Sequence, residues 1–363
     1  EWGFIGVYEN LLLAGADFGD FAERNMFSYT PAPKKGPAFA PDHSCSRGLI
    51  AFDRTTGDIR WEINARHSFL HNGIVAGGGR IYLLDKLPAR VEEANKRRGN
   101  NQQATSRIIT VDARSGNEIW TTENDIFGTW LSYSQKHDLL ILAGSAATDR
   151  SPDEIGSGIT VYHAGDGTAA WQKPDFKYAG PVMLHGDSII TNTTSYNESQ
   201  GAISIFDGSP ITIEDPVTGK PFAWRFYRTY GCNTAVCSEN LLTFRSGAAG
   251  FYDLSNHGGT GNFGGFKSGC SSNLIIADGV LNAPDYTRTC TCAYQNQTSL
   301  ALVPMSENEI WTYNQYAQST DNPAPIRKIG INFGAPGDRL DDNGILWINY
   351  PPDAGTSPSL DIQ

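Results

Sequence analysis

A chain of 363 residues with 39 Gly, 19 Pro, 8 Trp, 15 Tyr and 17 Phe, and only 18% charged residues, has the composition of many short strands joined by tight turns. It suits neither a coiled coil nor a disordered chain. The net charge of −11, from 28 Lys and Arg against 39 Asp and Glu, excludes nucleic acid as a partner, because phosphate binding needs a basic face.

The chain opens on "GFIGVYENLLLAG", two short apolar stretches around a polar turn. A strand pair is already under way at the first residues, with no signal peptide before it, so the natural amino terminus is expected upstream. Then a phrase recurs: an apolar strand, Asp or a substitute, a turn ending in Gly, and Trp four residues on. It reads "GLIAFDRTTGDIRW" (Gly57, Trp61), "RIITVDARSGNEIW" (Gly116, Trp120) and "GITVYHAGDGTAAW" (Gly167, Trp171). A looser copy, "ISIFDGSPITIEDPVTGKPFAW" (Gly219, Trp224), carries an inserted turn, and a degenerate one, "LALVPMSENEIW", ends at Trp311. Paired strands such as "GIVAGGGRIYLLD" and "GPVMLHGDSIITN" follow most of the Trp residues. Each unit is therefore four short strands, with Gly supplying the positive φ of the turn and Trp packing between neighbouring sheets. The basic stretch "ANKRRGN" in a polar insertion reads as a solvated loop. No apolar run approaches the roughly 20 residues that a membrane-spanning helix needs.

Five of the six cysteines, Cys232, Cys237, Cys270, Cys290 and Cys292, cluster late in the chain, and Cys45 stands apart. Disulfides are the leading reading, with Cys232–Cys270 and Cys290–Cys292 as candidate pairs and swapped partners equally allowed. A structural zinc site and free buried thiols are the alternatives, although Cys-x₄-Cys with Cys-x-Cys departs from zinc-knuckle spacing. "GTGNFG" (Gly259 to Gly264) matches a dinucleotide-binding spacing, but no helical periodicity flanks it, so a Gly-rich loop is expected. Polar side chains gather among the same glycines: Arg228, Tyr230, Asn233, Arg245, His257, Lys267 and Arg288. Their chemistry suits an anionic ligand such as a carboxylated or sulfated sugar. Arg228, Tyr230, Arg245 and His257 are the candidate catalytic residues, since a Tyr/His pair beside Arg could serve acid–base elimination on a uronic acid. Asn233, Lys267 and Arg288 join His71 and Asn72, from "HSFLHNGIVAGGG", as candidate binding residues. Asp338, Asp341, Asp342 and Asn343 resemble a calcium loop, but Asn349 stands where such a loop wants Glu, so a hairpin turn is expected. Three Asn-x-Ser/Thr sequons begin at Asn192, Asn197 and Asn296.

The apolar-x-Asp-x-x-(Thr/Ser)-Gly-x-x-x-Trp phrase resembles the repeat of the pyrroloquinoline-quinone-like β-propellers. That family includes quinoprotein alcohol dehydrogenases and outer-membrane assembly lipoproteins of the BamB type. The resemblance covers about residues 1–315. It implies an all-β propeller of six to eight four-stranded antiparallel blades. The expected blades lie near 46–90, 104–147, 156–193, 201–247 and 248–288, with a composite closing blade from 1–16 and 298–315. Residues 316–363 read as a carboxy-terminal hairpin and a Pro-rich tail that could lead to a further domain. The resemblance implies a periplasmic or extracellular module of the bacterial envelope, binding a glycan, a peptide or a larger complex, with a protein or carbohydrate as partner. The alternative is an enzyme at the mouth of the central funnel, either lyase-like or quinone-dependent. For the latter the family's cofactor, pyrroloquinoline quinone with calcium, needs acidic and amide ligands and a catalytic Asp that the sequence does not place. Propellers host many unrelated functions, so the phrase speaks to fold rather than activity.

Overall fold

The computed structural model describes residues 2–22, 40–99, 105–146, 154–192, 201–228, 231, 234–266, 274–284, 298–305, 310–314, 316 and 325–351. The chain divides into two compact units, Glu1–Val182 and Met183–Gln363, and the fold is almost entirely antiparallel β, of propeller-blade type.

In the first unit, β1 (Trp2–Tyr8), β2 (Leu11–Ala22), β3 (Ala40–Asp53), β4 (Ile59–Gly77), β5 (Arg80–Asp85), β6 (Arg107–Asp112) and β7 (Glu118–Thr122) pair in chain order. This run is two four-stranded blades joined through one strand. The first half of β4 pairs with β3 (Ile63 opposite Leu49), and its second half pairs with β5 (Ile74 opposite Leu83). A third sheet follows from β8 (Trp130–Ser134), β9 (Leu139–Ala143), β10 (Ser157–His163) and β11 (Ala169–Lys177). Between β5 and β6 the basic insertion forms a helix, α1 (Ala89–Arg97), rather than a loop; its Glu92 reaches the buried Lys86 at 2.8 Å.

The central blade is apolar on both faces because it is covered on both. Ile81, Leu83, Ile109 and Val111 pack towards the first blade with Leu49, Trp61 and Phe69. Their sequence neighbours Tyr82, Leu84 and Ile108 pack towards the third with Leu131, Leu140 and Leu142. Alternation of side chains along a strand thus turns the unbroken apolar runs of β5 and β6 into two cores.

The recurring phrase builds the joint between blades. The glycine N–H bonds the carbonyl four residues back in each copy: Gly57 to Asp53 at 2.8 Å, Gly116 to Asp112 at 2.8 Å, Gly167 to His163 at 2.9 Å and Gly219 to Asp215 at 2.8 Å. The Asp carboxylate caps the turn, accepting the N–H groups of Thr55 and Thr56 at Asp53. Arg60 and these turn N–H groups lower the Asp53 pKa to about 2. The Trp of one blade then lies on the turn glycine of the next. Trp61 donates its indole N–H to the Ala113 carbonyl at 2.9 Å and its ring covers Gly116; Trp120 does the same at Ala164 and Gly167.

The second unit repeats the scheme less regularly. β12 (Ala179–His185), β13 (Ser188–Asn192) and β14 (Gly201–Ser204) form one sheet. The inserted turn of the looser copy is a separate hairpin, β15 (Thr212–Glu214) with β16 (Pro221–Ala223). β17 (Val236–Cys237), β18 (Leu241–Ser246), β19 (Ala248–Asp253) and β20 (Thr260–Asn262) form the next sheet. β21 (Ile275–Ala277), β22 (Val280–Ala283) and β23 (Leu300–Leu302) form a three-stranded one. β24 (Thr312–Tyr313) joins the preceding sheet as a fifth strand, with Tyr313 opposite Thr260. The tail contributes β25 (Gly330–Phe333), β26 (Arg339–Leu340) and β27 (Leu346–Tyr350). Leu346 and Ile348 pack there with Val217 and Tyr316.

The sheets are cut half a blade away from the boundaries expected from the phrase. Residues 2–16 supply the first two strands of the first sheet, and the expected unit 46–90 straddles two sheets. The physical reason is that strand, turn and Trp mark the third and fourth strands of a blade, so counting from phrase to phrase cuts each sheet in half. The Gly259–Gly264 stretch contains strand β20 rather than only loop. Asp341 caps a hairpin turn, accepting the N–H groups of Asn343 and Ile345 at 2.9 Å, as "DDNG" suggests.

Candidate functional site

In the second unit the looser copy, the fifth-strand addition and the tail meet at one place. A shallow, half-open cleft of about 20 Å³ is lined by Phe222, Arg225, Tyr227, Tyr252, Gly259, Thr260, Tyr313, Asn314 and Tyr316. That is room for about one water, so a larger ligand rests against the cleft rather than inside it.

Its floor is buried and internally satisfied. Tyr252 is 3% exposed, Tyr316 4%, Asn314 4% and Thr260 1%. The Asn314 amide donates to Asp338 at 2.7 Å and accepts the Tyr316 N–H at 3.0 Å. The Thr260 hydroxyl donates to the Tyr227 carbonyl. Burial raises the phenol pKa of Tyr316 to about 12 and that of Tyr252 well above its usual value, so the floor carries no phenolate at neutral pH.

The walls are aromatic pairs set nearly edge to face, the arrangement that ring quadrupoles favour. Tyr227 and Tyr313 have centroids 5.4 Å apart at 84°, and Phe222 and Tyr316 lie 5.1 Å apart at 61°. At the lip, the exposed Arg225 guanidinium sits 5.6 Å from the centroid of the Phe222 ring. Among the described residues it makes no ion pair, and no carboxylate lines the cleft.

Behind the floor stands His257, at the position that glycine fills in the other copies. Its N–H bonds the Asp253 carbonyl at 3.2 Å, and its φ of +57° matches the +68° to +79° of Gly57, Gly116, Gly167, Gly208 and Gly219. Trp224, the Trp of the preceding copy, finds the imidazole instead of a backbone carbonyl and donates to Nδ1 at 3.0 Å. An indole N–H can only donate, so Nδ1 accepts and the neutral ring carries its proton on Nε2. The Tyr316 hydroxyl donates to the His257 carbonyl at 2.6 Å, and the Tyr252 hydroxyl lies 3.4 Å from Nδ1. Both floor tyrosines therefore rest on this residue.

Burial lowers the His257 pKa, reinforced by His185 and opposed by Asp253. A lowered folded-state pKa means stability that is full above about pH 6.5 and is lost as pH falls. Wild type is accordingly expected to lose more stability than His257→Gly between pH 7 and pH 5. Glycine accepts the turn and leaves Trp224 the Leu254 carbonyl, the counterpart of Ala113 and Ala164. Parallel losses in urea titrations of the two proteins would contradict this assignment.

The other expected site residues divide. Arg228 and Arg245 are buried, 5% and 4% exposed, and neither lines the cleft. His71 belongs to the first unit, where its Nε2 lies 2.7 Å from the Oγ of the fully buried Ser46 and its ring packs beside Phe4 and Phe18. Asn72 is exposed beside it. Tyr230, Asn233, Lys267, Arg288 and the expected disulfide cysteines Cys232, Cys270, Cys290 and Cys292 lie outside the described residues. Cys45 and Cys237 form no disulfide, and burial raises the pKa of both thiols. Asn192 is only 4% exposed, which removes it as a sequon on a free surface. Among the described residues no three His, Cys, Asp or Glu side chains converge on a metal position. No helix among them is long and apolar enough to cross a membrane.

Sequence reasoning missed Phe222, Arg225, Tyr227, Tyr252, Tyr313 and Tyr316. A signal for the place existed in "DLSNHG", where His257 follows Asp253 at the spacing of Asp to Gly in the regular copies.

No family model matches the chain. No curated protein matches it either. Among solved structures it is similar to BamB from Moraxella catarrhalis, with a TM-score of 0.41 and 11% identity over 77% of this chain and 81% of that one. It is also similar to the carboxy-terminal WD40 domain of Sif2, with a TM-score of 0.37 and 12% identity over 75% of this chain and 56% of that one. A europium-containing methanol dehydrogenase gives a TM-score of 0.35 and 10% identity over 74% of this chain and 55% of that one. The chain thus spans about half of the last two. At such identities and TM-scores none of these likenesses extends to a site or an activity.

Proposed function

We propose that this protein is a binding module that holds one sugar ring of a glycan against the shallow aromatic cleft of its second unit. The observation that carries the reading is the cleft itself: half-open, walled by Phe222, Tyr227 and Tyr313, with a floor whose polar groups are already paired. Flat aromatic faces beside the Tyr227 phenol and the Arg225 guanidinium, neither of them hydrogen-bonded or ion-paired among the described residues, suit a ring that is apolar on its faces and polar at its rim. His257, the expected acid–base residue, has Nδ1 occupied by Trp224 and supports the floor from behind. A positioning role therefore fits it better than proton transfer.

The experiment is a glycan array probed with wild type and Tyr227→Ala. Tyr227 is a half-buried wall residue whose hydroxyl has no partner among the described residues, so its removal spares the core. Wild type is expected to retain a defined set of glycans, and the variant to bind them about 10- to 100-fold more weakly, as for loss of an aromatic anchor, with an unchanged melting temperature. An array without retained glycans, or equal binding by both proteins, would contradict the reading.

A further inference from the structure

We infer that the cleft selects sugars bearing a carboxylate, with Arg225 as the residue that determines this specificity; the inference rests on the glycan-binding reading. Arg225 is exposed at the lip, and its guanidinium is placed over the Phe222 ring rather than against an acid. In a chain with 39 acidic residues against 28 Lys and Arg, a cation that has no acidic partner among the described residues, beside a cleft whose described lining holds no acid, is a marked local reversal of charge. The planar guanidinium presents parallel N–H donors whose spacing matches a carboxylate, and the cation–π contact with Phe222 keeps it at the lip.

The rest of the cleft points the same way. Its nine described lining residues include no Asp or Glu, and the buried Tyr252 and Tyr316 phenols stay protonated at neutral pH. Nothing in the lining therefore repels an anion. The Tyr227 hydroxyl provides a second polar contact on the wall. An acidic peptide side chain would satisfy Arg225 equally, but it has no flat face to cover the right-angle pair of Tyr227 and Tyr313. A hexuronate fills both requirements with one ring: faces against the aromatic walls, and the carboxylate on the guanidinium.

Galacturonate and galactose differ only at C6, a carboxylate against a hydroxymethyl group, so their comparison isolates the charge. In protein-observed NMR titrations at low salt, wild type is expected to bind galacturonate about tenfold more tightly than galactose, the gain of one charge-assisted contact. Arg225→Gln is expected to bring the two sugars to similar affinities, weakening galacturonate more than galactose, and Tyr227→Ala to weaken both. A preference for galacturonate that survives Arg225→Gln, or equal affinities in wild type, would overturn the inference and leave the glycan reading standing. Binding of neither sugar would remove both. An acetylated, amidated Asp-Glu dipeptide that binds as tightly as galacturonate would make the partner an acidic peptide and overturn it as well.

Discussion

Gly116→Ala is expected to destabilise the protein by about 2–5 kcal/mol, and Gly57→Ala by only about 1–2 kcal/mol, the cost of a left-handed backbone for a residue with Cβ. The two glycines occupy the same turn position, with φ of +71° and +79°. They differ in what lies over them. A Cβ on Gly116 would stand 2.6–2.9 Å from the Cγ, Cδ2 and Cβ of Trp61, whereas one on Gly57 would meet nothing within 4 Å. Trp61 cannot retreat cheaply, because its indole N–H is held by the Ala113 carbonyl and its ring is 8% exposed in the core between the first two blades. Equilibrium unfolding in urea of the two variants measures the difference directly. Equal losses would mean that Trp61 does not lock the blades together through Gly116.

Trp224→Ala is expected to cost about 3–5 kcal/mol, as for a large aromatic removed from a core. Trp224 is 4% exposed among Phe226, Tyr252, Leu242 and Phe244. It also contacts Tyr252 nearly edge to face at 5.6 Å, so its loss leaves the cleft floor without its backing. Trp224→Phe keeps most of the packing and gives up the bond to His257, which is expected to cost about 1–2 kcal/mol. In that variant Nδ1 loses its donor and becomes free to protonate, so acid should destabilise it less steeply than wild type. A Trp224→Ala cost below about 1 kcal/mol, the range of ordinary surface substitutions, would contradict the packing described for this side chain.

The fold was legible where local chemistry repeats. Asp53 and Asp112 cap the same turn, Gly57 and Gly116 take the same φ, and Trp61 and Trp120 make the same bond one blade on, so three similar phrases were enough to indicate four-stranded blades. The phase of those blades was not legible. β4 runs without a break from the edge of one sheet into the next, and no residue in "INARHSFLHNG" marks the crossing. The site was less legible still. Phe222 comes from an inserted hairpin, Tyr252 and Thr260 from neighbouring strands, and Tyr313 and Tyr316 from a segment that leaves its own copy of the repeat for another sheet. Only tertiary packing brings these together, and a polar cluster such as Arg228 and Arg245 attracts attention in a sequence although both side chains are buried outside the cleft.

Departures from the repeat, rather than the repeat itself, line the cleft proposed to bind the sugar. A crystal structure of the protein soaked with galacturonate tests that proposal most directly. A sugar ring is expected to lie against the exposed face of Tyr227 or Tyr313, with its carboxylate on Arg225. A sugar bound elsewhere, with this cleft empty, would contradict it.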